Sequence, residues 1–170
     1  MTNDHLFIIH LTPFYSSRML YVKTRLGQSQ ISGIGLFADQ FIPKGTIIWR
    51  FTPGLDLALD EAQFQAYKDQ YDCGRLQDYI YRSKISQRHI LCVDDARFIN
   101  HSSQPNTVDT MEDVEGLTIA SRDILPGEEI TSDYQAFDAD FSQYGHLLRE
   151  VELIPLSANG KAVLSGTKGL

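Results

Sequence analysis

The segment Thr46 to Phe51 (TIIWRF), entered through the turn Pro43-Lys44-Gly45, is the densest β-branched and aromatic run of the chain. A run so short and so bounded reads as a strand, and most of the chain repeats that rhythm. Tyr21 to Leu26 (YVKTRL) reads as a strand, Gly27 to Gly35 as turn-like, and Leu36 to Ala38 can extend a short strand. Tyr79-Ile80-Tyr81 and His89 to Val93 read as a hairpin joined by Arg82 to Arg88. Gly116 to Ile124 is a further strand, ended by the turn Leu125-Pro126-Gly127-Glu128. Asp60 to Tyr71 is the clearest helix: Phe64, Tyr67 and Tyr71 fall at i, i+3 and i+7, Asp60 and Gln63 form a capping pair, and Gly74 can end it. The fold class is mainly β with one or two short helices. Strands do not alternate with long helices, which excludes a doubly wound sheet, and the strand content excludes a bundle.

Length and composition narrow this further. A chain of 170 residues with 42% hydrophobic side chains can bury one core and form one domain. No internal repeat is present, which excludes solenoids and propellers. Cys73 and Cys92 cannot make a disulfide framework and are expected as buried apolar residues. Met1 to Leu11 carries Asp4 and His5 where a signal peptide would be basic, and no stretch nears the ~20 apolar residues of a membrane span. The expectation is an intracellular protein (cytoplasm or nucleus) with no membrane partner. Leu147, Leu148 and Val151 suggest a helix within Tyr144 to Leu156, and Ser157 to Leu170 a frayed tail.

The net charge of −7 is unevenly placed. Residues 1–90 hold ten Lys/Arg against eight Asp/Glu, a net of +2; residues 91–170 hold five against fourteen, a net of −9. The acidic half is either a solvated face or a field that attracts a cationic partner. Direct nucleic-acid binding is disfavoured by the same balance.

Three segments carry possible chemistry. Gly33-Ile34-Gly35-Leu36-Phe37-Ala38 fits a dinucleotide fingerprint, but Pro43 and Gly45 break the helix that such a motif must open. What survives is a close approach of backbone either to another strand or to the polar end of a ligand. Arg97-Phe98-Ile99-Asn100-His101-Ser102-Ser103-Gln104-Pro105-Asn106 sets amide, imidazole and hydroxyl groups beside an apolar anchor, which suits reading a polar ligand or capping a turn. Gly127-Glu128-Glu129-Ile130-Thr131-Ser132-Asp133-Tyr134 is an acidic turn leading into a strand that ends in Tyr. No G-x-S-x-G and no H-E-x-x-H occurs, which argues against a hydrolase triad and a catalytic metal.

In combination and in this order, G-x-G-L-F-A, I-P-K-G-T, R-F-I-N-H-S-x-x-P-N and G-E-E-I-x-x-D-Y resemble the SET-domain protein-lysine methyltransferases, over about Val22 to Tyr134. The resemblance implies several small curved sheets around a pseudoknot of the N-H-S and D-Y segments. It divides the chain into an N-terminal extension (1–20), a SET domain (21–136), a C-terminal cover (137–156) and a flexible tail (157–170). It also implies S-adenosylmethionine (AdoMet) as cofactor and a lysine of a histone or other basic protein as substrate, with no metal. Carried over, Ser32, Gly33, Ile34 and Gly35 meet the methionine end of the cofactor, while Arg97, Asn100 and His101 hold its carboxylate, amino and adenine groups. Tyr134 stands where methyl and amine meet, as both catalytic and cofactor-binding residue. Phe51, Tyr79 and Tyr81 are channel walls or ordinary core, and Ser132, where the family often has Phe or Tyr, leaves room for more than one methyl group.

The chemistry suits those residue types. Methyl transfer is an in-line displacement that rewards alignment of a neutral amine. Free lysine has a pKa of about 10.4 and must lose a proton first, and an apolar channel lowers that value. Tyr, itself near 10, is a poor base at neutral pH and a good positioning hydroxyl. Ser103 stands where many members carry a zinc-binding Cys, and no Cys follows Cys92. Phe137, Phe141 and the apolar segment after Tyr144 are therefore expected to close the channel by packing. Phe51 replaces a Tyr of several members. The alternative reading is a SET-like module that binds peptide or AdoMet without turnover.

Overall fold

The computed structural model describes residues 19–70, 78–110, 112 and 114–142. In chain order the elements are β1 (Thr24–Gln28), β2 (Ile34–Ala38), β3 (Ile47–Arg50), β4 (Leu57–Leu59), α1 (Glu61–Gln70), β5 (Ile80–Arg82) and β6 (His89–Leu91). A 3-10 turn (Asp95–Phe98), β7 (Asn100–His101), β8 (Thr107–Asp109), β9 (Leu117–Ala120), β10 (Thr131–Ser132) and α2 (Tyr134–Phe137) follow. They form four small sheets: the hairpin β1-β2, the three-stranded β3-β9-β8 and β4-β6-β5, and the parallel pair β7-β10.

The strands expected from β-branched runs are present, with shifted ends. β1 and β2 run through Gln28 and from Ile34, pairing Gly27 with Gly35, so the turn shrinks to the residues between them. That turn is closed by the Ser29 amide donating to Gly33 O at 3.0 Å. The Ser29 hydroxyl accepts from the amides of Ile31 and Ser32. β9 stops at Ala120, whereas Ile124 forms a separate two-way bridge with Ile42, 2.9 Å in each direction. β5 and β6 form the expected hairpin, and β4 adds to the other edge of β6.

α1 begins where its capping pair lies. Asp60 Oδ1 accepts from the Gln63 amide at 2.8 Å, and Gln63 Oε1 accepts from the Asp60 amide at 2.9 Å. The helix buries no residue fully. Phe64 stacks on His89 at 3.9 Å, and His89 Nε2 lies 2.8 Å from Glu61 Oε2. Tyr71, Cys73, Gly74 and the Tyr144 to Leu170 segment lie outside the described residues.

Among the described residues one cluster makes up most of the hydrophobic core. Leu36, Ile42, Ile48, Ile90, Ile124 and Ile130 are fully enclosed, and Trp49, Phe51, Cys92 and Ile99 pack with them. Burial of each such aliphatic side chain contributes roughly 1.5–3 kcal/mol. Because Leu36, Ile99 and Ile130 belong to the three motif-bearing segments, the core draws those segments together.

Candidate functional site

The 3-10 turn is capped by Asp94, whose Oδ1 accepts from the Ala96 amide at 3.0 Å. It delivers Arg97 and Phe98 to one side and Ile99 into the core. Asn100 and His101 then pair in parallel with Thr131 and Ser132. Parallel pairing between segments far apart in sequence brings Tyr134, just beyond β10, beside His101. The Tyr134 amide donates to His101 Nδ1 at 3.2 Å, so in the neutral ring the proton sits on Nε2.

Glu129 is the junction of all three motifs. Its Oε1 accepts from the Ser29 hydroxyl at 2.7 Å and from Asn100 Nδ2 at 2.8 Å. Asn100 Nδ2 also lies 3.2 Å from the carbonyl oxygens of both Ser32 and Ile34. Gly35 leaves the space: a Cβ there would sit 2.3 Å from Glu129 Oε1. The close backbone approach expected at this glycine is thus to a carboxylate of the chain's own third motif. Asn106 adds a second tie, its side chain donating to Glu129 O at 2.7 Å and accepting from the Thr131 amide at 2.9 Å.

These ties shape a cavity of about 760 Å³, within the range of small-molecule and cofactor sites. Ser32, Gly33, Ile34, Arg97, Asn100, His101 and Tyr134 all line it, as do Tyr79, Tyr81 and Ser132. Two expected residues do not. Gly35 is turned to the side chain of Glu129, and Phe51 is packed in the core cluster. Of the two roles open to Phe51, the structure gives core packing: the residue follows the end of β3 and is buried in the core cluster.

An aromatic group surrounds Tyr134. Phe137 meets Tyr134 and Tyr81 edge-on at 5.5 and 4.9 Å, and Phe141 lies 4.8 Å from His101. Phe137 thus lines the cavity, and Phe141 packs on His101. The Tyr134 hydroxyl donates to Ile99 O at 2.5 Å. Burial, with Asp138 next in effect, pushes the phenol well above its ordinary range, so it stays protonated at any neutral pH. Tyr81 is likewise raised by burial, and its hydroxyl donates to Glu115 O at 3.0 Å. Arg97 Nη1 is held by the carbonyls of Val93 and Asp94, its guanidinium over the Phe98 ring at 4.7 Å. Ser132 is buried, its hydroxyl 2.6 Å from that of Thr107.

Trp49, Cys92, Asp109 and Thr118 also line the cavity, and sequence reasoning did not place them there. No local motif marks them; for Trp49, Asp109 and Thr118 only the alternation of β3, β8 and β9 with the cavity side known would have done so. Asp109 is pushed up to about 6, chiefly by burial. Among the described residues no group of three or more His, Cys, Asp or Glu is placed to hold a metal ion, and no helix is long and apolar enough to cross a membrane.

A sequence model of the family described as "SET domain" matches residues 33–135. The chain is 31% identical over 121 residues to a "Histone-lysine N-methyltransferase, H3 lysine-36 specific" of Candida albicans, covering 67% of this chain and 14% of that protein. It is 30% identical over 128 residues to mouse "Histone-lysine N-methyltransferase SETMAR", covering 68% and 41%. To human "Histone-lysine N-methyltransferase 2D" it is 32% identical over 129 residues, covering 70% and 2%. The chain thus spans less than half the length of each of these relatives.

Proposed function

The chain belongs to the SET-domain family, and from that premise we propose that it is an AdoMet-dependent protein-lysine N-methyltransferase acting on a histone or another basic protein tail. The observation that carries the reading is the convergence of the turn before β2, Arg97, Asn100, His101 and Tyr134 on one cavity. Relatives named histone-lysine N-methyltransferases support it.

The residues present fit the cofactor. Arg97 is the cation that would face a carboxylate, the Ser32 to Ile34 backbone offers peptide groups, and His101 offers Nε2–H. Asn100 acts on that backbone: its amide nitrogen, spent on Ser32 O, Ile34 O and Glu129, holds the turn in the shape a ligand would meet. When bound, the cofactor supplies an electrophilic methyl group on a sulfonium. The chain's own contribution is alignment and exclusion of water. The rings of Tyr81, Tyr134 and Phe137 form the dry wall in which a lysine amine loses its proton to solvent more readily. Tyr134, kept protonated and anchored to Ile99 O, orients the reacting groups and is not a base.

The test is incubation with radiolabelled AdoMet and mixed core histones, followed by mass spectrometry to count methyl groups. Label on a lysine supports the reading. Calorimetric AdoMet binding without label transfer would leave the non-catalytic module in its place. Tyr134→Phe is expected to lower turnover on the order of 10²-fold with AdoMet affinity nearly intact; equal losses in both would make Tyr134 a binding residue.

A further inference from the structure

Trp49 on β3, Thr118 on β9 and Asp109 on β8 are direct cross-strand partners. Side chains on one such rung leave the same face of a sheet, and all three line the cavity. The rung is unevenly satisfied. Thr118 Oγ1 donates to Asp109 Oδ1 at 2.7 Å. Asp109 Oδ2 and the indole Nε1 of Trp49, a residue only 3% exposed, are enclosed without a hydrogen-bond partner among the described residues. Buried polar groups in native proteins are nearly always paired, and an unpaired one beside a cavity points to something the cavity receives.

The surroundings of Asp109 define what that is. Trp49 faces it from β3 and Thr118 from β9. Asp133, before α2, is a like charge that adds to the effect of burial on it. Tyr81 of β5, Cys92 beyond β6 and Tyr134 of α2 each feel its charge. None of these groups is a cation. The other enclosed acid at the cavity, Asp138, accepts from the amides of Arg82 and Asp140 on Oδ1 and has no enclosed oxygen without a partner among the described residues, and Asp78 is exposed. Asp109 alone combines enclosure with a free oxygen, and a turn about its soft χ2 torsion presents that oxygen to the cavity. A neutral donor could pair that oxygen but would leave its buried charge uncompensated, and an anionic guest would be repelled.

We propose that the Asp109 carboxylate, set on the Trp49–Thr118 rung, is a specificity-determining residue that receives the alkylammonium head of the substrate side chain. This rests on the lysine-methyltransferase reading of the cavity and deepens it: the site selects a cationic side chain at the stage of entry, before the amine gives its proton to solvent.

Trp49 is the chain's single Trp, so its indole N–H gives one unmistakable cross-peak in a 15N-correlated spectrum. The full chain is titrated with n-butylammonium chloride and, separately, with n-butanol, at pH 8 and pH 5. At pH 8 the ammonium is expected to shift the indole peak saturably, with at least about tenfold higher affinity than butanol, as expected of a charged contact. With the carboxyl titrating at about 6, its ionised fraction at pH 5 is about a tenth, so ammonium affinity falls about tenfold. Asp109→Asn retains an acceptor for Thr118 and should remove both the preference and its pH dependence. Equal affinities at pH 8, no shift with either compound, or a pH-dependent preference that survives in Asp109→Asn would each overturn the proposal. These titrations need no turnover. Failure of label transfer to histones with ammonium binding intact would remove the proposed reaction alone, and the reverse pattern would remove Asp109 alone.

Discussion

Replacing Gly35 by alanine probes the junction that joins the three motifs. The new Cβ would lie 2.3 Å from Glu129 Oε1, 2.8 Å from its Cδ and 3.1 Å from Ser29 Cβ. Gly35 has no left-handed backbone, so the cost is contact and not strain. Restoring an ordinary separation moves the carboxylate by about 1 Å, which stretches its 2.7 and 2.8 Å bonds from Ser29 and Asn100 past hydrogen-bond range. Hydrogen bonds to charged groups contribute about 1.5–3 kcal/mol each. Glu129 is half-buried and can be rehydrated in part, so Gly35→Ala should cost about 2–4 kcal/mol, a fall in Tm of about 5–15 °C for a chain of this size. The assay is urea unfolding at pH 7.5 in a double-mutant cycle with Glu129→Ala. Without the carboxylate the two nearest clashes are gone and the Ser29 Cβ contact at 3.1 Å remains, so Gly35→Ala should then cost at least about 1 kcal/mol less than in the wild type. If it costs as much in the Glu129→Ala background as in the wild type, the glycine is not there to admit the carboxylate, and the junction is not what joins the motifs.

Asn100→Ala removes the two N–H donors shared among Ser32 O, Ile34 O and Glu129 and should weaken AdoMet binding, read by calorimetry, by about tenfold or more. Turnover at saturating cofactor should change much less. Gly116→Ala combines φ of +136° with a Cβ 2.7 Å from Trp49 Cζ3 and should destabilise by about 3–5 kcal/mol, enough to lower soluble yield and Tm sharply. Asp94, half-buried with an unpaired Oδ2, is pushed up to about 6 by burial. A carboxyl that holds its proton more tightly when folded stabilises the native state at low pH, and that contribution is lost as pH rises from about 4 to about 6. Asp94→Asn, which keeps an oxygen to cap Ala96, should therefore raise stability by about 1–2 kcal/mol at pH 8 and leave it unchanged near pH 4, as measured by thermal unfolding across that range.

What could be read in the sequence were features carried by neighbours along the chain. The capping pair Asp60 and Gln63, the strand runs TIIWRF and HILCV, and the Pro-Gly turns are local, and each formed where its residues dictated. The three motif segments were legible as words whose order resembled one family, and the family match bears that out. The two- and three-residue strands β4, β7, β8 and β10 were not legible, because, unlike β5 and β6, they sit in no apolar run rich in aromatic or β-branched residues and exist only through their partners. Phe51 shows the same limit from the other side: a single aromatic can wall a channel or fill a core, and only its tertiary packing decides. The cavity floor is wholly tertiary. Asp109 and Thr118 meet across consecutive strands, and Trp49, distant in sequence, joins them because β3 pairs with β9 in one register. The chain alone determined that many short strands would carry three polar motifs. Packing Leu36, Ile99 and Ile130 into one core decided that those motifs close on a single cavity, since burying their apolar anchors together leaves their polar residues no other place to go.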